Sequence, residues 1–389
     1  MSTTESILVC GGGLAGMAAA LGLKKAGFRV QIVAPAYKAQ ALEPQQYHPR
    51  VYALSAASQR FLEQLGVWAL LDNQRITPVE AMEVYGDGDG RLELNAWQNA
   101  QPTLTHIIES GELERVLYQA LQVFSVPWVD DLCTALTATG IQTQKGSALA
   151  ADLIVGADGA RSPVRQLAHI KHSAYAYGDH GVVAHLNAEL PHQNTAYQWF
   201  TGDAVLALLP MPDTDQGPQV SMVWSVEAAQ ADAFMQRSSS ERAAHLPPLL
   251  AALTQQRLGA LTLRSPAFAF PLTLERSQMV APKVALVGDA AHRVHPLAGQ
   301  GLNLGLGDIR ELIQVLVDKP SYQSVGELRV LERYRRARLQ DILAMQCVTH
   351  GLHRLFNTSF APIALLRNVG MNVANTLPFF KQQLIKAAD

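Results

Sequence analysis

The chain has 389 residues, beyond the length at which one hydrophobic core stops growing, so two or more lobes are expected. Hydrophobic residues at 48% and charged residues at 16% exclude a disordered or fibrous chain. A formal charge of −2, with the two signs interspersed, gives no electrostatic footprint for nucleic acid.

Cys10, Cys133 and Cys347 stand far apart with no CxxC pair, which argues against a disulfide framework or a zinc site. The N-terminus lacks a basic leader and no apolar stretch approaches the roughly 20 residues of a membrane span. A cytoplasmic chain is expected, peripheral at the inner membrane surface at most.

In chain order, residues 6–34 read as a βαβ unit. Ile7–Cys10 is an apolar strand, Gly11–Gly16 a glycine turn, Met17–Ala26 a helix stopped by Gly27, and Arg29–Ala34 the second strand. Residues 53–71 read as a helix with Leu54, Phe61, Leu62, Leu65 and Leu70 on one apolar stripe. From 78 to 105 the texture changes to short segments around Gly86-Asp87-Gly88-Asp89-Gly90, a hairpin or loop signal. Glu112–Val123 returns to helix, and Asp152–Gly156 is an apolar strand ending in Ala157-Asp158-Gly159. Strand-like stretches at Gly181–Leu186, Ala204–Leu209 and Val220–Ser225, with a polar helix near 227–257, predict a separate α+β lobe. Val284–Gly288 is another strand. Residues 301–317 and 328–357 are helical, with Arg333–Arg338 read as a solvated face. Pro362 and Pro378 break an apolar tail.

Three segments carry chemistry. Gly11-Gly12-Gly13-Leu14-Ala15-Gly16 matches GxGxxG between a strand and a helix, where glycine lets backbone approach a pyrophosphate at the helix start. The acid expected at the end of the second strand, to hold the adenosine ribose, is replaced by Ala34. Asp158-Gly159 follows the middle strand; read blandly it is a turn, with Ser162 capping a short helix. The third segment runs from Gly288-Asp289-Ala290-Ala291-His292 to Leu297-Ala298-Gly299-Gln300-Gly301-Leu302-Asn303-Leu304-Gly305, a strand end leading into a glycine-opened helix. Its spacing does not fit a second dinucleotide fingerprint. His292 and His295 have no third ligand between them, so no metal is expected.

In this order the three segments resemble the group A flavoprotein aromatic monooxygenases, the para-hydroxybenzoate hydroxylase-like family, over nearly the whole chain. Arg50-Val51-Tyr52-Ala53-Leu54-Ser55, Gly66-Val67-Trp68 and the 288–305 run are most similar to the ubiquinone-biosynthesis hydroxylases within it. The resemblance implies an α/β architecture. A discontinuous Rossmann-like FAD-binding domain would comprise 1–77, 106–174 and 271–320. An α+β substrate lobe on a mixed sheet would comprise 78–105 and 175–270, and 321–389 a C-terminal helical region. Gly11, Gly13, Leu14, Ala15 and Gly16 would hold the pyrophosphate, and Arg50 would neutralise phosphate or ribitol oxygens. Asp158 and Gly159 would lie near the pyrophosphate and the path of NAD(P)H, and Gly288 and Asp289 beside the ribitol. Pro296 would line the flavin face, and Gly299, Gly301, Leu302 and Asn303 would turn backbone N–H groups to the isoalloxazine. His295 and Pro296 are the candidate active-site residues.

The implied reaction uses FAD, NAD(P)H and O2, and passes oxygen from a flavin C4a-hydroperoxide to an electron-rich ring, a prenylated phenol of ubiquinone biosynthesis. A halogenase is disfavoured because no Trp-x-Trp occurs. A prenyl reductase of the same fold, or a flavin-bound scaffold subunit of a quinone-biosynthesis complex, stays open. Trp199, Phe200, Leu206, Leu208, Leu209, Pro210, Val223 and Trp224 are either pocket or plain core. The apolar tail beyond 339 is a tertiary or dimer contact, or a peripheral membrane contact.

Overall fold

The protein is seen in a computed structural model that describes residues 5–39, 43, 45–294, 301–356, 361–377, 381 and 382. The apolar run Ser6–Cys10 forms a central strand of a six-stranded sheet. Across that sheet the order is Val280–Ala281, Val284–Leu286, Leu153–Gly156, Ser6–Cys10, Arg29–Ala34 and Trp128–Asp130. All its pairings are parallel except that of the two-residue edge strand Val280–Ala281. Helices cover its faces, which is why its inner strands are near-continuous apolar runs. The helix Leu14–Lys25 packs against the helices Ser110–Val123 and Gly301–Val317.

A second, nine-stranded sheet is built mostly from the middle of the chain. Its path runs His292–Arg293, Phe268–Ser277, His172–Ala188, Gly217–Glu227, Val205–Thr214, Thr195–Phe200, Ala81–Tyr85 and Arg91–Asn95, with Leu261–Leu263 beside His172–Ala188. The sheet is mixed, because Thr195–Phe200 pairs parallel with Ala81–Tyr85 while the others pair antiparallel. Side chains alternate between its faces. Leu206, Leu208, Met222 and Trp224 bury one face against the helices Ala228–Met235 and Ser239–Thr254. Leu209, Ser221 and Val223 stand on the other, above a cavity. The small sheet Val51–Leu54, Thr105–Glu109, Ile76–Val79 joins the two large ones, with Val51, Ala53 and Ile107 packed on Ala196, Leu209 and Met211.

Several sequence expectations need correction. Leu54 lies in a strand, fully buried, and the helix begins at Ala56 behind the cap Ser55; Leu70 is exposed in a separate short turn of helix. The polar helix near 227–257 is two helices, the second carrying Pro247 and Pro248 inside it. Pro362 does not break the tail, because it sits in the first turn of the helix Ala361–Thr376, where a missing N–H costs nothing. Pro378 lies outside the described residues. The antiparallel meander Cys133–Thr137, Gly140–Thr143, Ala148–Ala150 gave no recognised signal.

The helix Ala361–Thr376 closes the edge of the nine-stranded sheet. Asn368, Asn372 and Asn375, on one helical face, each offer Oδ1 to a backbone N–H, of Gly90, Arg91 and Glu93 respectively, at 2.9–3.0 Å. Arg367 holds both carboxylate oxygens of Asp87 in the adjoining turn. An unpaired strand edge is a template for aggregation, and this helix removes it. The double substitution Asn372→Ala with Asn375→Ala is expected to lower the unfolding free energy by about 1 kcal/mol per bond in urea titration, with earlier aggregation on heating.

Candidate active site

The glycine turn is shaped by backbone contacts. Gly11 has φ +124°, and a Cβ there would stand 2.2 Å from the Ala157 carbonyl oxygen; one on Gly16 would stand 2.0 Å from the Gly11 oxygen. Gly13 differs: nothing lies within 4 Å of its Cβ position, so the turn is open on that side. Gly13 is also the N-cap of the helix beginning at Leu14, with no side-chain cap and no acid in the first turn. An open, uncapped helix start with a bare backbone is what an incoming phosphate requires.

The three remote segments meet here. A Cβ on Gly288 would stand 3.2 Å from the Cβ of Ala15, and one on Gly305 would stand 3.2 Å from the Gly288 Cα. Beneath this contact lies Asp308, fully buried. Its Oδ2 accepts from the Gly288 N–H at 3.0 Å and bonds the His292 Nε2 at 2.7 Å, while Oδ1 accepts from the Arg338 Nε at 2.8 Å. Burial pushes the Asp308 carboxyl up, but the His292 and Arg338 partners outweigh it and hold it below the usual carboxylate range. Arg338 is therefore no solvated residue: it is 4% exposed and reaches the Leu304 carbonyl as well.

Asp158 lies beside the glycine turn. Its Oδ2 accepts from the Val164 N–H at 3.0 Å, Ser162 caps the helix Pro163–Leu167 as the sequence predicts, and its Oδ1 is buried without a partner. Burial raises its carboxyl pKa against the bonds from Ser162 and Val164. Gly159 has φ +81° and open space around it. At Ala34 the carbonyl accepts from the Trp128 indole at 3.1 Å, and the indole packs under Gly12.

A cavity of about 750 Å³ lies between the two large sheets. Arg50, Val51, Tyr52, Asp289, His292, Gly301 and Leu302 line one side; Val183, Leu209, Ser221, Val223, Phe268 and Phe270 line the other. The Arg50 guanidinium sits 5.0 Å from the Tyr52 ring centre. Burial pushes the Tyr52 hydroxyl pKa up to about 12 against the pull of Arg50, so it stays a neutral donor. Buried Glu109 holds the neighbouring loop, accepting from the His48 N–H at 2.5 Å and pairing with Arg75. Asn303 ties the same strand to the 301–317 helix, its Oδ1 accepting from the Ser55 N–H at 3.1 Å and its Nδ2 donating to the Ala53 carbonyl at 2.8 Å.

Of the sequence candidates, Arg50, Asp289, Gly301 and Leu302 thus share one cavity, and Gly11–Gly16 meets it through Gly288. His295, Pro296 and Gly299 lie outside the described residues. Asp308, Arg338 and Glu109 were missed. A carboxylate inside an apolar helix was the only available signal for Asp308, and nothing local marks its partner 30 residues on. Trp199, Leu206, Leu208 and Trp224 prove to be core, whereas Leu209 and Val223 line the cavity.

A glycine turn at the carboxyl end of a parallel sheet, a cavity closed by a large mixed sheet, and an uncapped helix start define a nucleotide-cofactor flavoprotein fold. The chain belongs to the FAD binding domain family, whose pattern matches residues 4–348. It is 34% identical to the 3-demethoxyubiquinol 3-hydroxylase of Escherichia coli (strain K12) over 98% of this chain and 97% of that protein. It is 31% identical to the ubiquinone hydroxylase UbiL of Rhodospirillum rubrum over 98% and 89%. Among solved structures it matches the Pseudomonas aeruginosa PqsL complex with 2-aminobenzoylacetate at a TM-score of 0.74 and 22% identity, covering 93% and 99% of the two chains. It matches the p-nitrophenol 4-monooxygenase PnpA of Pseudomonas putida at 0.75 and 17%, covering 99% and 97%. These structural likenesses bear on the fold.

Gly13→Ala is expected to change the stability of the flavin-free chain by at most about 1 kcal/mol while weakening FAD binding. Gly16→Ala, with its overlap, is expected to impair both; melting and flavin titration separate the two. Asp308→Asn takes from buried Arg338 its buried counter-ion, leaving only the exposed Asp341, and is expected to cost about 3 kcal/mol. Because the folded carboxyl lies below its ordinary value, the native contribution is complete above that ordinary value and disappears as acidification passes the folded one. Urea unfolding across acid pH should show that loss in the native chain and a flatter profile in Asp308→Asn.

Proposed function

We propose that the chain is an FAD-dependent monooxygenase that hydroxylates an electron-rich aromatic ring, a prenylated phenol of ubiquinone biosynthesis. The observation that carries this is the cavity itself: polar groups and a helix start on one wall, an apolar sheet face on the other, with the glycine turn adjoining. The hydroxylase names carried by full-length relatives support the same chemistry.

The residues fit FAD. Gly11, Gly13, Leu14, Ala15 and Gly16 would hold the pyrophosphate on the open helix start, Arg50 would neutralise phosphate or ribitol oxygens, and Gly288 and Asp289 would take the ribitol hydroxyls. Gly301, Leu302 and Asn303 would offer backbone N–H groups to its ring system; Pro296, Gly299 and His295, which the family resemblance assigns beside them, lie outside the described residues. Asp158 and Gly159 border the approach of NAD(P)H. When bound, FAD supplies the redox chemistry that connects NAD(P)H and O2 to the ring. The chain orients the two partners, excludes water with Val183, Leu209, Val223, Phe268 and Phe270, and stabilises negative charge at the helix start.

No helix among the described residues is long and apolar enough to cross a membrane. A lipid-soluble ring must be met at a membrane surface or on a partner of a quinone-biosynthesis complex. Val369 and Val373, exposed one turn apart on the C-terminal helix, and exposed Leu377 just past its end are the surface proposed for it. Flotation with anionic vesicles reads this, and unchanged flotation after all three become Glu would remove the assignment.

Purified chain is expected to be yellow, to consume O2 with NAD(P)H and a prenylated phenol, and to place one labelled oxygen from O2 in the product. A reductase of this fold would give product without label. A colourless chain that takes up no FAD defeats the whole reading. Gene deletion that leaves quinones and their precursors unchanged defeats the substrate alone.

A further inference from the structure

Two neighbouring buried polar atoms on the sheet side of the cavity have no hydrogen-bond partner. Ser221 lines the cavity at 1% exposure, and its Oγ is unpaired. His185, 2% exposed, lies directly opposite Ser221 in the antiparallel pair of strands. Directly opposed residues project to the same face with Cβ atoms about 4.5–5.5 Å apart, so the imidazole stands beside the hydroxyl, behind the cavity wall.

The ring's protonation follows from its other partner. His185 Nε2 lies 2.9 Å from the His48 carbonyl oxygen. A carbonyl only accepts, so Nε2 carries the hydrogen. Burial pulls the pKa of His185 down, which keeps the ring neutral, and Nδ1 is then a bare acceptor, also unpaired. Elsewhere on this wall the polar groups are already satisfied: Thr273 bonds Glu275 and Arg293. The remaining surface around Ser221 is Val183, Leu209 and Val223. Leaving a buried hydroxyl unpaired is costly, and an apolar ligand with one hydroxyl relieves that cost.

We propose that Ser221 is the specificity-determining contact for a ring hydroxyl of the substrate, with His185 as the positioning residue behind it. Rotated toward the imidazole, the Ser221 hydroxyl donates to His185 Nδ1. Its oxygen is then left as an acceptor facing the cavity. A phenolic O–H that donates to that oxygen is polarised toward the ring, which enriches the ring in electrons without any proton having to leave. The inference rests on the monooxygenase reading and deepens it by naming what the substrate must carry.

The test uses holoenzyme titrated with para-prenylphenol and with its O-methyl ether, read by the absorbance change of the bound flavin. The native chain is expected to bind the phenol roughly tenfold tighter than the ether. Ser221→Ala should abolish that preference, and Ser221→Thr, which keeps the hydroxyl, should restore most of it. His185→Gln keeps a donor for the His48 carbonyl but moves the remaining acceptor from the ring Nδ1 position to an amide oxygen, and should reduce the preference at unchanged flavin content. If His185→Gln fails to hold flavin, the Ser221→Ala and Ser221→Thr pair decides. A preference that persists undiminished in Ser221→Ala overturns the inference while labelled-oxygen incorporation leaves the monooxygenase reading standing. A holoenzyme that incorporates no label with either ring overturns both.

Discussion

At the carboxyl ends of the parallel strands, backbone has to touch backbone. Gly11 lies against Ala157 and Gly16 against Gly11 at separations no side chain survives, and Gly288 sits tightly between Ala15 and Gly305. Three stretches of chain, each more than a hundred residues from the next in sequence, are brought to one point by having nothing in the way. Asp308 then fixes the point, since its two oxygens gather the Gly288 N–H, His292 and Arg338. Such a buried carboxylate is stable only while all its partners are present, so it acts as a registry device as much as a source of stability.

The cavity follows from a second constraint, the twofold alternation of strands. Along Val205–Thr214 and Gly217–Glu227, one set of side chains faces the helices and forms core, and the other faces the cofactor side. A shift of one residue in register would exchange the two sets, placing Met222 and Trp224 in the cavity and Ser221 in the core. The small sheet carrying Val51–Leu54 fills the seam between the large sheets and brings Arg50 and Tyr52 to the cavity wall. Glu109 and Asn303 anchor that seam from opposite ends.

The segments legible in the sequence were those whose meaning is local. Gly11–Gly16 announces itself because strand, turn and helix are contiguous, and Ser162 caps the helix that begins at the next residue, accepting from the Arg165 N–H, as its position suggests. The 301–317 helix is likewise set by its own periodicity. Leu54 was misread because a short buried strand running into a helix keeps an apolar pattern that either element satisfies. Arg338 was misread because charged neighbours such as Arg335 and Arg336 suggest solvent, and only its partner on another helix reveals otherwise.

By itself, then, the sequence determined the parallel βαβ opening, the glycine positions that admit a phosphate, and the pattern of a flavin-binding family. Those properties depend on bond geometry and on residues within one turn of each other. Tertiary structure alone decided which side of each middle strand faces the cavity, which carboxylates are buried with partners, and how the C-terminal helix seals a sheet edge formed nearly 300 residues earlier. Those properties depend on pairing between remote strands and helices, and a linear string of residues carries no distance between them.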